Sequence, residues 1–250
     1  EVKTCWPLIN DKSLYQMHLK YRGNFLNDLK NNVEKAVDLT EKVGKVKQLI
    51  ESKKLISVEG YSLILDVTSK KNSIFLKDGK DPFLTFPRQQ NTPNKCLSDY
   101  IDNDHSKMGI FVVSSGKTWI EAARQFLIEK KYTEFMILQA LVMQTAEAGA
   151  EFIHDELNRR QERPSESDSA SKKATKKERT LLDEAYVSSV QGKRYSPGYS
   201  ACPDLQLQVP LFSLFKGVTT ITLTESLMMN PINSVSGFVF FKPGCDYFSI

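Results

Sequence analysis

The order of patterns along these 250 residues predicts a single α+β domain. A helical stretch comes first, then strands, then helices, then strands again, without the regular alternation that builds a parallel sheet. Two further observations agree. The length and the 40% hydrophobic content suffice for a full core without staples, in one large domain or two small ones. No internal repeat divides the chain.

The first element is a long helix over Asn24–Leu55. Leu26, Leu29, Val33, Val37, Val43, Val46, Leu49 and Ile50 recur mostly at three- and four-residue steps between Lys and Glu, with Gly44 the candidate break. Ser57–Thr68 is β-rich, and a short apolar piece, Ile74–Leu76, leads to a turn at Asp78-Gly79. Phe83–Phe86 reads as a strand stopped by Pro87, and Met108–Val113 as a buried strand. Lys117–Asn158 reads as two helices meeting near Lys130, the second burying Phe135, Leu138, Leu141, Val142 and Ala146. A polar segment at about 159–179 is expected to be an exposed, flexible insertion. A short helix near Thr180–Val190 and a Pro- and Gly-punctuated set of strands and turns complete the chain.

Composition excludes several classes of function. A net charge of +4 is too weak to imply nucleic acid, and residues 159–179, with eight Lys and Arg against four Asp and Glu, account for all of it. The longest apolar run, Phe135–Met143, is about half of what spans a bilayer, so no membrane partner is expected. No signal peptide is visible, and Cys5, Cys96, Cys202 and Cys245 are spaced as reduced thiols of a cytoplasmic protein rather than as a disulfide or zinc framework.

Four local patterns fall short of the chemistry they suggest. Ser114-Ser115-Gly116-Lys117-Thr118 sits between a strand and a helix, but Phe111 occupies the position where a phosphate-binding loop needs its first glycine. Around His105, Asn103 and the late Gly109 break both spacings of the Asp-x-His-x-x-Gly cobalamin pattern. His18, His105 and His154 are too scattered for a metal motif, and His154 reads as a residue near terminal helix carbonyls. Ser234–Gly237 lacks the first glycine of a nucleophile elbow. No catalytic constellation and no metal site is expected.

Arg194–Asp204 reads RYSPGYSACPD. Two prolines and a glycine make a rigid loop in which Gly198 takes a positive φ at no steric cost. Such a loop holds Arg194, a planar fork for a carboxylate, and Tyr199, an aromatic face for a cation, with little entropy left to lose. The pair suits a ligand bearing both groups of an amino acid.

This loop resembles the Arg-x-x-Pro-Gly-Tyr-Pro-Ala-Cys-Pro-Asp motif of the activation (reactivation) domain of cobalamin-dependent methionine synthase. LTESLMMNPINSVSGFVFF, from Leu223 to Phe241, is similar to that family's Leu-Thr-Glu-Ser, Met-x-Pro and Ser-Val-Ser-Gly stretch, and Tyr247-Phe248 to its terminal aromatic pair. Upstream, Ala146-Glu147-Ala148 with Glu151–His154 resembles the family's Ala-Glu-Ala-Phe-Ala-Glu-Tyr-Leu-His helix. Arg88-Gln89-Gln90 with Cys96–Ile101 resembles the segment ahead of its central strand, and Pro7–Asn10 its opening. The similarity spans nearly the whole chain, 1–250.

The resemblance implies a twisted, largely antiparallel β-sheet flanked by long helices. It implies an S-adenosylmethionine groove and, only in trans, cobalamin on the cobalamin-binding module of methionine synthase or a related corrinoid protein. A flavodoxin-type protein would donate one electron to cob(II)alamin, and the sulfonium methyl would then be transferred to the reduced cobalt, so that positioning is the domain's main task. Carried over residue by residue, Arg194 would pair with the methionyl carboxylate and Ser196 would meet the ligand through its backbone. Glu147 would face the ammonium or sulfonium end, Tyr199 would lie between ligand and corrin, and Tyr247 and Phe248 would flank the groove. Asn10 stands where the family has an early ligand-binding Asp, with Asp11 adjacent. Ser200 replaces the motif's second proline, and Leu205 a histidine. These departures motivate an alternative: a noncatalytic scaffold relative that has lost ligand binding.

Overall fold

The computed structural model describes residues 1–102, 106–162 and 192–250. Helices α1 (Val2–Cys5), α2 (Phe25–Lys30) and α3 (Glu34–Lys53) precede strands β1 (Glu59–Lys70), β2 (Ser73–Leu76), β3 (Leu84–Thr85) and β4 (Ser106–Ser114). Helices α4 (Trp119–Ile128) and α5 (Tyr132–Glu162) follow. Then come β5 (Lys193–Tyr195), α6 (Gln208–Ser213), β6 (Thr222–Leu223), β7 (Met229–Asn230) and β8 (Ser234–Phe240). The chain forms two compact units: Glu1–Gly60 with Val112–Phe152 and Thr220–Val235, and Tyr61–Phe111 with Ile153–Thr219 and Ser236–Ile250.

The first unit is mostly helical. Helix α3 buries Ala36, Val43, Val46 and Ile50 at helical spacing, against Phe25 and against Ile137, Leu138, Leu141 and Val142 of α5. The expected single helix over 24–55 is two. Asn24 caps α2 by accepting from the Asn27 amide, and the chain turns at Asn32, whose φ is 54°, before α3 begins. Gly44 does not break α3, because the buried residues on either side of it hold the helix and a mid-helix glycine costs only about 1 kcal/mol. The break expected near Lys130 is present, with Lys130 at φ 58° between α4 and α5. Leu138, Leu141, Val142 and Ala146 are buried as expected, and Phe135 packs half-buried at the edge.

The second unit holds most of a six-stranded sheet of order β3-β2-β1-β4-β8-β5. Antiparallel registers join β1 to β2 (Val67 opposite Leu76), β2 to β3 (Ile74 opposite Leu84) and β5 to β8 (Arg194 opposite Val239). Phe86 meets Phe238 and Phe240 edge-on, and Tyr195 and Tyr100 continue the aromatic core. Short strands at the sheet's ends are completed by side chains: Arg88 spans a fork to Asp99 at 2.6 and 2.8 Å and donates to Asn72 Oδ1.

Two expectations are corrected at α5. The helix runs on to Glu162, so residues 159–162 belong to it rather than to a loop, with Arg159 bonded one turn back to Asp155 and Glu156. His154 is therefore two turns from the helix end and is buried, away from the terminal carbonyls. The rest of the polar segment, the helix expected near Thr180–Val190 and His105 lie outside the described residues.

Candidate functional site

Three backbone hydrogen bonds shape the loop after β5. Gly198 sits at φ 93°; its amide donates to the Cys202 carbonyl at 2.7 Å, and the Cys202 amide returns to Tyr199 at 2.8 Å. The Tyr199 amide reaches Ser196 at 3.3 Å. Tyr199 is thus carried at the tip of a closed turn and is 67% exposed. Leu205 packs its Cδ2 against Gly198 and fills space beneath that turn. Arg194 belongs to β5 rather than to the loop, and the loop follows a strand. Being on an edge strand next to buried Tyr195, Arg194 sends its side chain to the opposite face.

The last six residues have no regular secondary structure, yet they are tied at several points. The Ile250 amide donates to the Ser200 carbonyl at 3.1 Å, joining this segment directly to the Tyr199 turn. Gln89 Nε2 donates to the Ser249 carbonyl at 2.6 Å. The Tyr195 hydroxyl donates to the Asp246 carbonyl, and the Tyr100 hydroxyl to Asp246 Oδ1, both at 2.6 Å. Tyr247, 68% exposed, meets Tyr195 edge-on at 5.5 Å with Lys193 Nζ 5.7 Å from its ring, and Phe248 meets Tyr100. Arg194, Ser196, Tyr199, Tyr247 and Phe248 all fall in the second unit. Burial, with the carboxylate of Asp246 alongside, pushes Tyr100 up to about 12. Burial likewise raises Cys202 to about 12 and Cys245 to about 11, so both remain inert thiols at neutral pH.

Asn10 and Glu147 fall in the first unit. Asn10 Oδ1 accepts from the Ser13 amide at 2.9 Å and so caps a seven-residue π-helical stretch, Lys12–His18. Stretches of this kind are rare and recur at functional sites. Asp11 lies near enough to act electrostatically on Lys47 and Tyr15. Gln144, only 5% exposed, donates to Ser13 Oγ and contacts His18 Nε2, each at 3.1 Å, and anchors that stretch to α5. Glu147 lies on the same helix one turn later, exposed between buried Ala146 and Ala148. Gln144, Tyr100, Tyr195 and Asp246 were not found by sequence reasoning, since each acts on a partner more than 50 residues away.

The Ser114–Thr118 segment is structural. Thr118 Oγ1 donates to the Leu55 carbonyl, and the Gly116 carbonyl accepts from Trp119 and Asn233 side chains. Ser236, in the false elbow, lies in β8 and donates to Gln208. All four cysteines are free and buried. Among the described residues no group of His, Cys, Asp and Glu is placed to hold a metal, and no helix is long and apolar enough to cross a membrane.

The family model described as "Vitamin B12 dependent methionine synthase, activation domain" matches residues 3–250. The chain belongs to that family. Methionine synthase of Mycobacterium leprae (strain TN) is 24% identical over 175 residues, covering 66% of this chain, and that of Mycobacterium tuberculosis (strain ATCC 25618 / H37Rv) is 25% identical over 174 residues. The alignments cover 14% of the length of these curated relatives. The crystal structure of the MetH reactivation domain bound to AdoHcy superposes with a TM-score of 0.82 at 22% identity, covering all of this chain and 78% of that one. This activation domain therefore has the fold expected of its family: helices with a sheet in which β1–β2, β2–β3 and β5–β8 pair antiparallel.

Proposed function

We propose that this activation domain binds S-adenosylmethionine and serves the reductive reactivation of a cobalamin carried by a separate module. The observation that carries the reading is the family match over residues 3–250, joined to a second unit that offers chemistry suited to the ligand. Arg194 has a fork for a carboxylate, and the exposed rings of Tyr199 and Tyr247 stand on mutually tethered backbone, where a sulfonium or an adenine ring finds an aromatic face. In the first unit, taken by itself, Glu147 keeps an exposed carboxylate. The relative solved with AdoHcy, the demethylated form of the same ligand, supports this choice.

S-adenosylmethionine supplies an electrophilic methyl group, and cobalamin in trans supplies the metal that receives it. The domain's own residues bind, orient and shield; none is asked to abstract a proton. The partners of this reading are a cobalamin-binding module and a flavodoxin-type electron donor in the cytoplasm.

Titration calorimetry with S-adenosylmethionine tests it. Binding is saturable, and Arg194→Ala weakens it by about 1.5–3 kcal/mol, the worth of a charge-assisted contact. Absence of binding by the unmodified chain refutes the reading. The use of Asn10 as a helix cap, in place of an acidic ligand residue, favours a second reading as a scaffold relative. Turnover on mixing with an inactive cobalamin-loaded partner, reductant and S-adenosylmethionine excludes that alternative.

A further inference from the structure

We infer that Asp246 is a positioning residue, a latch that fixes Tyr247 and Phe248 and so sets ligand affinity without touching the ligand. The inference rests on the S-adenosylmethionine reading above. The segment Cys245–Ile250 has no strand or helix to hold it, so apart from the backbone bond of Ile250 to Ser200 its placement depends on hydrogen bonds that involve side chains. Asp246 collects more of these than any neighbour. Its carboxylate pairs with Lys95 and accepts from Tyr100 at 2.6 Å, while its carbonyl accepts from Tyr195 at 2.6 Å.

Three separate parts of the second unit therefore converge on one residue: the loop bearing Lys95, the helical turn Leu97–Tyr100, and β5. Tyr100 and Tyr195 are stacked 6.1 Å apart, and the same two rings contact Phe248 and Tyr247 respectively. The two donors that grip Asp246 are thus also the rings against which the next two residues rest. Asp246 is itself exposed, with half of its side chain open to water. Ion pairs at such positions contribute little to folding, which leaves placement of the adjoining aromatics as the role of this cluster.

The test compares the unmodified chain with Asp246→Ala and Asp246→Asn by calorimetry with S-adenosylmethionine and by thermal melting. Asp246→Ala weakens binding about tenfold, through lost preorganisation, while the melting temperature is nearly unchanged. Asp246→Asn keeps an acceptor for Tyr100 and recovers most of the affinity. Equal binding by Asp246→Ala and the unmodified chain overturns the latch and leaves the ligand reading intact. In parallel, a Tyr247→Trp reporter is placed with and without Asp246→Ala. Release of the latch raises acrylamide quenching of the new indole. If the unmodified chain binds no S-adenosylmethionine, the ligand reading fails and the reporter alone decides, unchanged quenching overturning the latch.

Discussion

The two units hold their candidate ligand residues by opposite means. In the first, Asn10 and Glu147 belong to helical structure, and the tie between their segments is a buried amide, Gln144. In the second, Tyr199 is held by backbone bonds of its own turn, and Tyr247 and Phe248 stand on irregular backbone whose main tie is the exposed Asp246, joined to Lys95, half-buried Tyr100 and buried Tyr195. The first arrangement links position to stability, because a buried polar group cannot be removed without cost. The second separates them, because exposed contacts can guide a segment while adding little to folding.

Substitutions that cross this divide should break the contrast if it is wrong. The largest effect is expected from Phe240→Ala, which empties a fully buried site touching Phe86, Tyr100 and Tyr195. Urea denaturation should register a loss of about 3–5 kcal/mol, and a loss under 1 would show that the aromatic core is not the second unit's mainstay. Next comes Gln144→Ala, which strands Ser13 and His18 and should cost about 1–3 kcal/mol in the same assay. An unchanged stability would place Gln144 with the exposed ties instead. Asn24→Ala removes a helix cap and should cost about 1 kcal/mol, read as a small shift of the urea midpoint.

The smallest and most gradual effect is with acid. Lys95, then Tyr100, hold the Asp246 carboxyl below its ordinary value. Burial acts to raise the Asp99 carboxyl, but the Arg88 hydrogen bond and the Cys96 amide outweigh it and leave it lowered. Groups lowered on folding contribute stability above their unfolded value, and that contribution fades as pH falls through the folded one. The second-unit ties should therefore be intact at neutral pH and weaken below about pH 4. A Tyr247→Trp reporter that becomes more open to quencher as pH falls from 5 to 3 would agree; one that becomes more open on raising pH from 5 to 8 would not.

Much of the fold was legible because burial leaves a periodic mark. The β4 run Met108–Val113 and the helix pair broken at Lys130 follow directly from apolar spacing. The turn at Asn31–Asn32 was hidden for the same reason: Leu29 and Val33 keep helical spacing across it, although Asn32 is left-handed. The π-helical stretch after Asn10 was invisible, since i→i+5 bonding leaves the side-chain pattern too short to register. At the candidate site, the RYSPGYSACPD loop announced its own rigidity, and Gly198 does take positive φ. What it could not announce is that Arg194 is a strand residue, or that Tyr100 and Asp246, 146 positions apart, are hydrogen-bonded.

The seam around Gly116 bears on how this chain comes to be folded. The Ser57 amide bonds the Ser115 carbonyl, the Ser115 amide bonds the Asn233 carbonyl, and the Asn233 side chain returns to Gly116. Three stretches separated by more than fifty residues each are thus stitched at one point, where a side chain on Gly116 would meet Ser57 at 2.9 Å. A nascent chain emerging from the ribosome cannot close this seam until Asn233 has left the exit tunnel. The first unit, although it starts at residue 1, can finish folding only once nearly the whole domain has emerged.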